Sequence, residues 1–249
     1  MNTFFVKNSQ IHSGIAKVTG DDFHHLKNVL RLKPGEEAFI CNEDGSKFVG
    51  KLFEIRDDMA VFDIIKKEQR NAELKVNITL YQGLPKADKL EKIIKETTQL
   101  GIKEIVPTRM KNCVVKLENT DSDKKLERWQ KIALEASKQS GRQIIPTISK
   151  IINFENIIEN IEKYDIVLLL YESEKEISIK NAIYKAKSST DSIKNIAIIV
   201  GPEGGFSEKE VKSLSSFENV YVCTLGGRIL RTELAPMMAL SCLSYEFEL

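Results

Sequence analysis

Histidine is scarce in this sequence of 249 residues: His12, His24 and His25 are its three copies, all near the start. No Ser-His-Asp or Cys-His site can therefore be assembled within a domain lying beyond Asp44. Cysteine is nearly as rare. Cys41, Cys113, Cys223 and Cys242 stand far apart, with no C-x-x-C and no cysteine pair near the histidines. A zinc or other metal site is unsupported, and the spacing fits reduced, mostly buried thiols of a cytoplasmic protein. No apolar run approaches the span of a membrane helix; Ile166 to Tyr171 is among the longest. The amino terminus, MNTFFVKNSQ, shows no secretory apolar core. A cytoplasmic location without membrane contact is the expectation.

The common nucleotide signatures are missing as well. Glycines fall at 201, 204 and 205, which is not G-x-G-x-x-G, and no lysine follows to complete a P-loop. A Gly-x-Ser-x-Gly elbow is also lacking. Chemistry in the larger part of the chain must rely on carboxylates, arginines, lysines, hydroxyls or the backbone.

What is present is ample apolar and charged material. Hydrophobic residues make up 42% and charged residues 29%, enough for a sizeable core in one large domain or two ordinary ones. The net charge of +1 is unevenly spread. Residues 1–74 hold 11 basic and 12 acidic side chains, 75–150 hold 16 and 9, and 151–249 hold 10 and 15. A basic middle third fits a polyanion footprint, and equally a set of solvated helix faces.

Residues 1–72 read as β-rich, with short apolar stretches at 3–6, 37–41, 47–55 and 59–65 separated by turn signals. This spacing predicts a small barrel. One helix, residues 21–31, interrupts it, with Phe23, Leu26, Val29 and Leu30 on the inner face. Lys27 and Arg31, four apart, share another face that suits phosphate or plain solvation. The charged stretch 66–75 reads as a linker. Beyond it strands and helices alternate: strands at 76–81, 104–107, 144–148, 165–171, 196–200 and 220–223, and helices at 86–100, 124–140, 154–162, 178–188 and 235–247. Alternation with near-continuous apolar strands predicts a parallel sheet covered on both faces.

Two glycine-bearing turns end the last two strands: Gly201-Pro202-Glu203-Gly204-Gly205-Phe206, and Leu225 through Glu233. Turns at the carboxyl ends of parallel strands are where open α/β proteins place ligands. They are read here as the cofactor site, although each alone fits a plain strand–turn–helix connection as well. Ser207 and Glu210 form a capping box that starts the next helix.

Taken together, HHLKNVLRLKPGE (24–36), LPKADKLEKIIKETTQLGIKEIVP (84–107), ERWQKIALEASKQSGRQIIP (127–146), IVGPEGGFSEKE (199–210) and LGGRILRTELAP (225–236) resemble the RsmE family of ribosomal RNA methyltransferases, of the SPOUT superfamily. The resemblance spans the chain, and the combination of GPEGGFS with ILRTE is specific. It implies a PUA-like, RNA-binding β-barrel over residues 1–72 and a SPOUT methyltransferase domain over 73–249, an α/β parallel sheet ending in a trefoil knot. It implies a homodimer that uses S-adenosyl-L-methionine to methylate N3 of one uridine in 16S ribosomal RNA, the substrate being RNA of the small subunit.

By the same resemblance the cofactor lies among Leu170, Tyr171, Glu172, Val200, Gly201, Pro202, Glu203, Gly204, Leu225, Gly226, Ile229 and Leu230. Arg231, then Arg228, is the candidate cation for the developing uracil oxyanion; Glu203 or Glu233 is the candidate base or orienter of an arginine, the plainer alternatives being that Glu203 only stabilises its turn and Glu233 only caps the last helix or pairs with Arg231. Lys27 and Arg31, with Lys86, Lys89 and Arg109, form the expected RNA track, and Arg142 is expected to reach substrate phosphate or the dimer partner, or to be a plain helix-ending surface arginine. The chain departs from the family pattern at Leu234, where threonine is usual, at Gly227, where a bulkier residue is common, and at Gln99, where glutamate is common. Two rivals remain at this level: a non-catalytic RNA-binding or ribosome-assembly module, and an α/β enzyme with a different nucleotide cofactor.

Overall fold

A computed structural model describes residues 1–115, 122–189 and 192–248. The chain divides into two compact units, one of residues 1–73 with 137–144, the other of residues 74–136 with 145–249.

The first unit is one six-stranded sheet. Its strands are β1 (Thr3–Phe5), β2 (Ile11–His12), β3 (Ile15–Thr19), β4 (Glu37–Cys41), β5 (Lys47–Ile55) and β6 (Met59–Lys67), in the order β1-β4-β5-β6-β3-β2. β1 and β2 are its two edges, so the barrel-like sheet is open. Alternating Ala16 and Val18 of β3 and Ala60 and Phe62 of β6 point into a core completed by Phe4, Ile40 and Leu52.

The interrupting helix differs from expectation. An α-turn, α1 (Gly20–His24), widens into a π-helical stretch at residues 25–30, and Arg31 then turns left-handed with φ 52°. Widening changes the angular step per residue. Phe23 and Leu26 stay buried, while Val29, expected inside, is 66% exposed. Arg31 leaves the helix and does not share a regular helical face with Lys27.

The second unit is a wholly parallel sheet. Its strands are β7 (Asn77–Gly83), β8 (Glu104–Arg109), β9 (Thr147–Ile148), β10 (Ile152–Asn153), β11 (Ile166–Leu170), β12 (Asn195–Val200) and β13 (Val220–Cys223). The order is β10-β8-β7-β12-β11-β13, with β9 also on β8. Expected strand 144–148 shrinks to two residues, with Ile144 outside it and 40% exposed.

The helices are α2 (Lys89–Gln99), α3 (Ser122–Ser140), α4 (Glu155–Glu159), α5 (Ile179–Ser189), α6 (Glu208–Leu214) and α7 (Ala235–Phe247). They cover both faces, as the continuous apolar strands demand. Ile166, Leu168 and Leu170 of β11 share one core with Ile93 of α2, Ala133 of α3, Ala182 of α5 and Leu240 of α7, while Val167 and Leu169 share the other with Ile157 of α4 and Leu214 of α6. The alternation of side chains along a strand thus serves two cores. Among the described residues no helix is long and apolar enough to cross a membrane.

Candidate active site

Register places the site. Leu170 of β11 pairs with Val200 of β12 and with Cys223 of β13, and Val200 pairs with Gln82 of β7. The strands therefore end level, and the segments that leave them converge at one edge of the sheet. Between these segments lies a cavity of about 910 Å³.

Of the residues expected to hold the cofactor, Leu170, Tyr171, Glu172, Val200, Gly201, Pro202, Glu203, Leu225, Gly226, Ile229 and Leu230 all line this cavity. Gly204 does not. Its carbonyl accepts the Asn112 amide at 3.0 Å, and a Cβ there would meet the Asn112 side chain at 3.0 Å. The turn needs a small residue at 204 for packing, and the inward groups are those on either side of it.

Two glycines shape the walls. A Cβ on Gly83 would lie 2.5 Å from the backbone nitrogen of Pro202, so β7 must present a bare Cα to the turn. Gly226 has φ 111°, a conformation that L side chains rarely adopt, and the space beyond its missing Cβ is open. Gly205 N–H closes the first turn on Pro202 O at 2.9 Å.

Several residues that hold the site escape sequence reasoning. Gln82, fully buried, donates from Nε2 to Thr232 Oγ1 at 3.0 Å, and Thr232 Oγ1 donates to Gly201 O at 2.7 Å. Asn112 fastens both Gly204 O and Gly205 O. Thr224 Oγ1 accepts Gly226 N–H at 3.2 Å. The capping box is present, with Glu210 also accepting Lys111 N–H at 2.8 Å.

The charged residues separate into distinct roles. Arg228 and Arg231 are exposed and line the cavity. Glu203 accepts Lys89 Nζ at 2.8 Å and the Lys86 N–H at 3.1 Å. Burial pushes its carboxyl up, but the Lys89 ammonium and the backbone N–H groups of Glu203 and Lys86 outweigh that and hold it below the ordinary value. Glu233 is not part of the lining; its buried Oε2 has no hydrogen-bond partner and lies 3.6 Å from Lys89 Nζ.

Cys223 closes the cavity floor, but burial raises its thiol to about 12. Burial also raises Cys41, to about 11, and lifts Cys113 and Cys242. All four are thiols near neutral pH, unsuited to nucleophilic work. Among the described residues no group of His, Cys, Asp and Glu is arranged to hold a metal.

The six basic residues expected to meet RNA do not share one environment. Lys27 and Arg31, in the first unit, are exposed, with Lys27 Nζ 5.4 Å from the Phe23 ring centre. Lys86, exposed, Lys89, on the cavity wall, and Arg109, half-buried at the end of β8, belong to the second. Arg142 corrects the expectation. It is 3% exposed and grips Glu73 through Nε at 3.1 Å and Nη2 at 2.5 Å, so its charge is spent inside the first unit. Glu73 also accepts the N–H groups of Gln143 and Ile144.

Known proteins carry the same design. A family model described as an RNA methyltransferase domain matches residues 72–244, and one described as an RNA methyltransferase PUA domain matches residues 18–65. The chain is 37% identical over 232 residues to the ribosomal RNA small subunit methyltransferase E of Bacillus subtilis (strain 168), covering 93% of this chain and 90% of that one. It is 32% identical over 243 residues to the protein of the same name from Mesomycoplasma hyopneumoniae (strain 232), covering 97% and 98%. A crystal structure of a ribosomal RNA small subunit methyltransferase E from Neisseria gonorrhoeae bound to S-adenosyl methionine aligns with a TM-score of 0.84 at 26% identity, over 99% of this chain and 98% of that one. With its full-length likeness, its PUA-like amino-terminal domain and its parallel sheet, the chain belongs to the ribosomal RNA small subunit methyltransferase E family.

Proposed function

We propose that the chain methylates N3 of one uridine in 16S ribosomal RNA, using S-adenosyl-L-methionine. The observation that carries this is the cavity itself, walled by three backbone segments at the level ends of β11, β12 and β13. Its size suits a nucleoside-sized ligand, for which pockets run to roughly 300–1,000 Å³. Leu170, Val200, Leu225 and Leu230 offer an apolar slot for a flat base, and the glycine turns bring main-chain donors and acceptors close. Relatives named as ribosomal RNA small subunit methyltransferases, one of them bound to S-adenosyl methionine, support the methyl-transfer part of the reading.

Bound there, S-adenosyl-L-methionine supplies an electrophilic methyl group on a sulfonium. The work left to the chain is alignment, removal of the N3 proton and shielding of the charge that gathers on the uracil oxygens. Arg231 is the assigned cation, with Arg228 beside it on the same loop. Glu203, ionised and already paired, suits an anchor better than a base. Glu233, with its Oε2 3.6 Å from the same Lys89 ammonium, is the other candidate for the base.

The first unit, residues 1–73 in its main stretch, is the RNA-binding part in this proposal. The fold is assigned a trefoil knot: the segment leaving β13, at the sheet's edge, delivers α7 against α2 and β12, and Thr232 lies tied to Gln82 and Gly201 on the way. A homodimer fits Tyr184, Ile229, Leu234 and Tyr245, which leave large apolar surface exposed on α5, on α7 and before it. Mass mapping of methylated uridines in ribosomal RNA from cells with and without the protein tests the activity. One 3-methyluridine of the small subunit should vanish with the protein, and an unchanged map would refute it.

A further inference from the structure

Lys89 is placed against an electrostatic preference. It is the first residue of α2, where the helix dipole is positive and a cation is disfavoured. Two carboxylates from distant parts of the chain offset this. Glu203, on the turn after β12, accepts its ammonium at 2.8 Å, and Glu233, just before α7, holds a buried Oε2 3.6 Å away. The backbone N–H of Lys86, in the approach to the same helix, lies on the Glu203 carboxylate as well. The side chain of Lys89 is 34% exposed and those of its partners 24% and 13%. Lys89 thus faces the cavity with its charge already engaged, a poor arrangement for a phosphate contact.

We propose that Lys89 is a positioning residue, not part of an RNA track: its ammonium, shared between Glu203 and Glu233, latches the 201–206 turn and the 231–234 segment to the start of α2. Both latched pieces form the cavity wall, and the second carries Arg231. The latch therefore sets the distance between the turn that cradles the cofactor and the arginine that faces the substrate. Burial lowers the ammonium pKa, but Glu203 foremost, and then Glu233, raise it above the ordinary lysine value, so the latch stays charged through neutral pH. The inference rests on the reading of the cavity as a methyl-donor site, and its test must separate the two.

The experiment uses full-length wild type, Lys89→Met, Lys89→Arg, Glu203→Gln and the Lys89→Met/Glu203→Gln double variant. S-adenosyl-L-methionine affinity is measured by calorimetry, RNA affinity across a salt series, and backbone amide exchange by mass spectrometry. The latch predicts that Lys89→Met raises amide exchange in 201–206 and 231–234 together and weakens S-adenosyl-L-methionine about tenfold. It predicts that Glu203→Gln does the same, that the double variant is no worse than either single one, and that Lys89→Arg recovers most of the loss. The salt slope of RNA binding stays unchanged. A phosphate contact predicts instead a slope lower by about one, with unaltered exchange; that outcome overturns the proposal, as do additive effects of the two substitutions. If wild type itself fails to bind the donor, the cofactor reading falls, and coupled exchange in the two segments still decides whether the latch exists.

Discussion

Gly83 and Pro202 touch across the ends of β7 and β12 so closely that a Cβ on the glycine would stand 2.5 Å from the proline nitrogen. The neighbour is backbone, which cannot swing aside as a side chain can. Gly83→Ala must therefore push the 201–206 turn outward. The expected cost is about 1–3 kcal/mol of stability, with a loss of donor affinity larger than that of a substitution elsewhere of equal destabilisation. Urea unfolding and calorimetry on the same samples check both.

In the proposed mechanism Arg231 bears on the substrate rather than on the donor. Arg231→Ala should lower the methyl-transfer rate by about 10²–10³, the usual cost of losing one group that faces a developing oxyanion. Donor affinity should change little. Undiminished transfer measured with saturating donor would remove the arginine from the mechanism.

Arg142 and Glu73 form a buried pair in the first unit. Removing the arginine leaves the half-buried Glu73 carboxylate with the N–H groups of Gln143 and Ile144 but no opposite charge. Arg142→Ala should destabilise the protein by about 3–5 kcal/mol. Thermal or urea unfolding measures the loss. The RNA salt slope of any folded fraction should stay as in wild type, whereas a true phosphate contact would lower it.

The folded state depresses the Glu203 carboxyl below its ordinary value of 4.5. A depressed carboxyl favours folding while it is ionised, above the unfolded value. That contribution is lost as pH falls below about 4.5 and through the lower folded value. Glu203→Gln should therefore be less stable than wild type at neutral pH and converge with it in acid. A constant difference across this window, in unfolding measured from pH 7 to 3, would contradict the assignment.

Local pattern announced most of the scaffold. The uninterrupted apolar run of β11 has no polar face because both its faces are covered, and β4, β5, β13 and α7 occupy the expected residues. The glycine turns were visible because glycine marks backbone that must bend or come close. The π-helical stretch was not: a pattern drawn on 3.6 residues per turn puts Val29 inside, and widening turns it out. Partners far apart in sequence were equally invisible. Gln82 and Thr232 lie 150 residues apart, and Arg142 and Glu73 lie 69 apart. An arginine after a helix-ending glycine looks like a surface residue until the glutamate that buries it is known. Gly204 and Asn112 teach the same lesson, since a glycine in a binding turn serves packing as often as ligand approach.

The most direct test of the account is calorimetric titration of the purified full-length protein with S-adenosyl-L-methionine, beside ATP and NAD. Saturable binding of the donor alone, weakened by Gly83→Ala, is the predicted result. Failure of the donor to bind, or equal binding of the other two nucleotides, would contradict it.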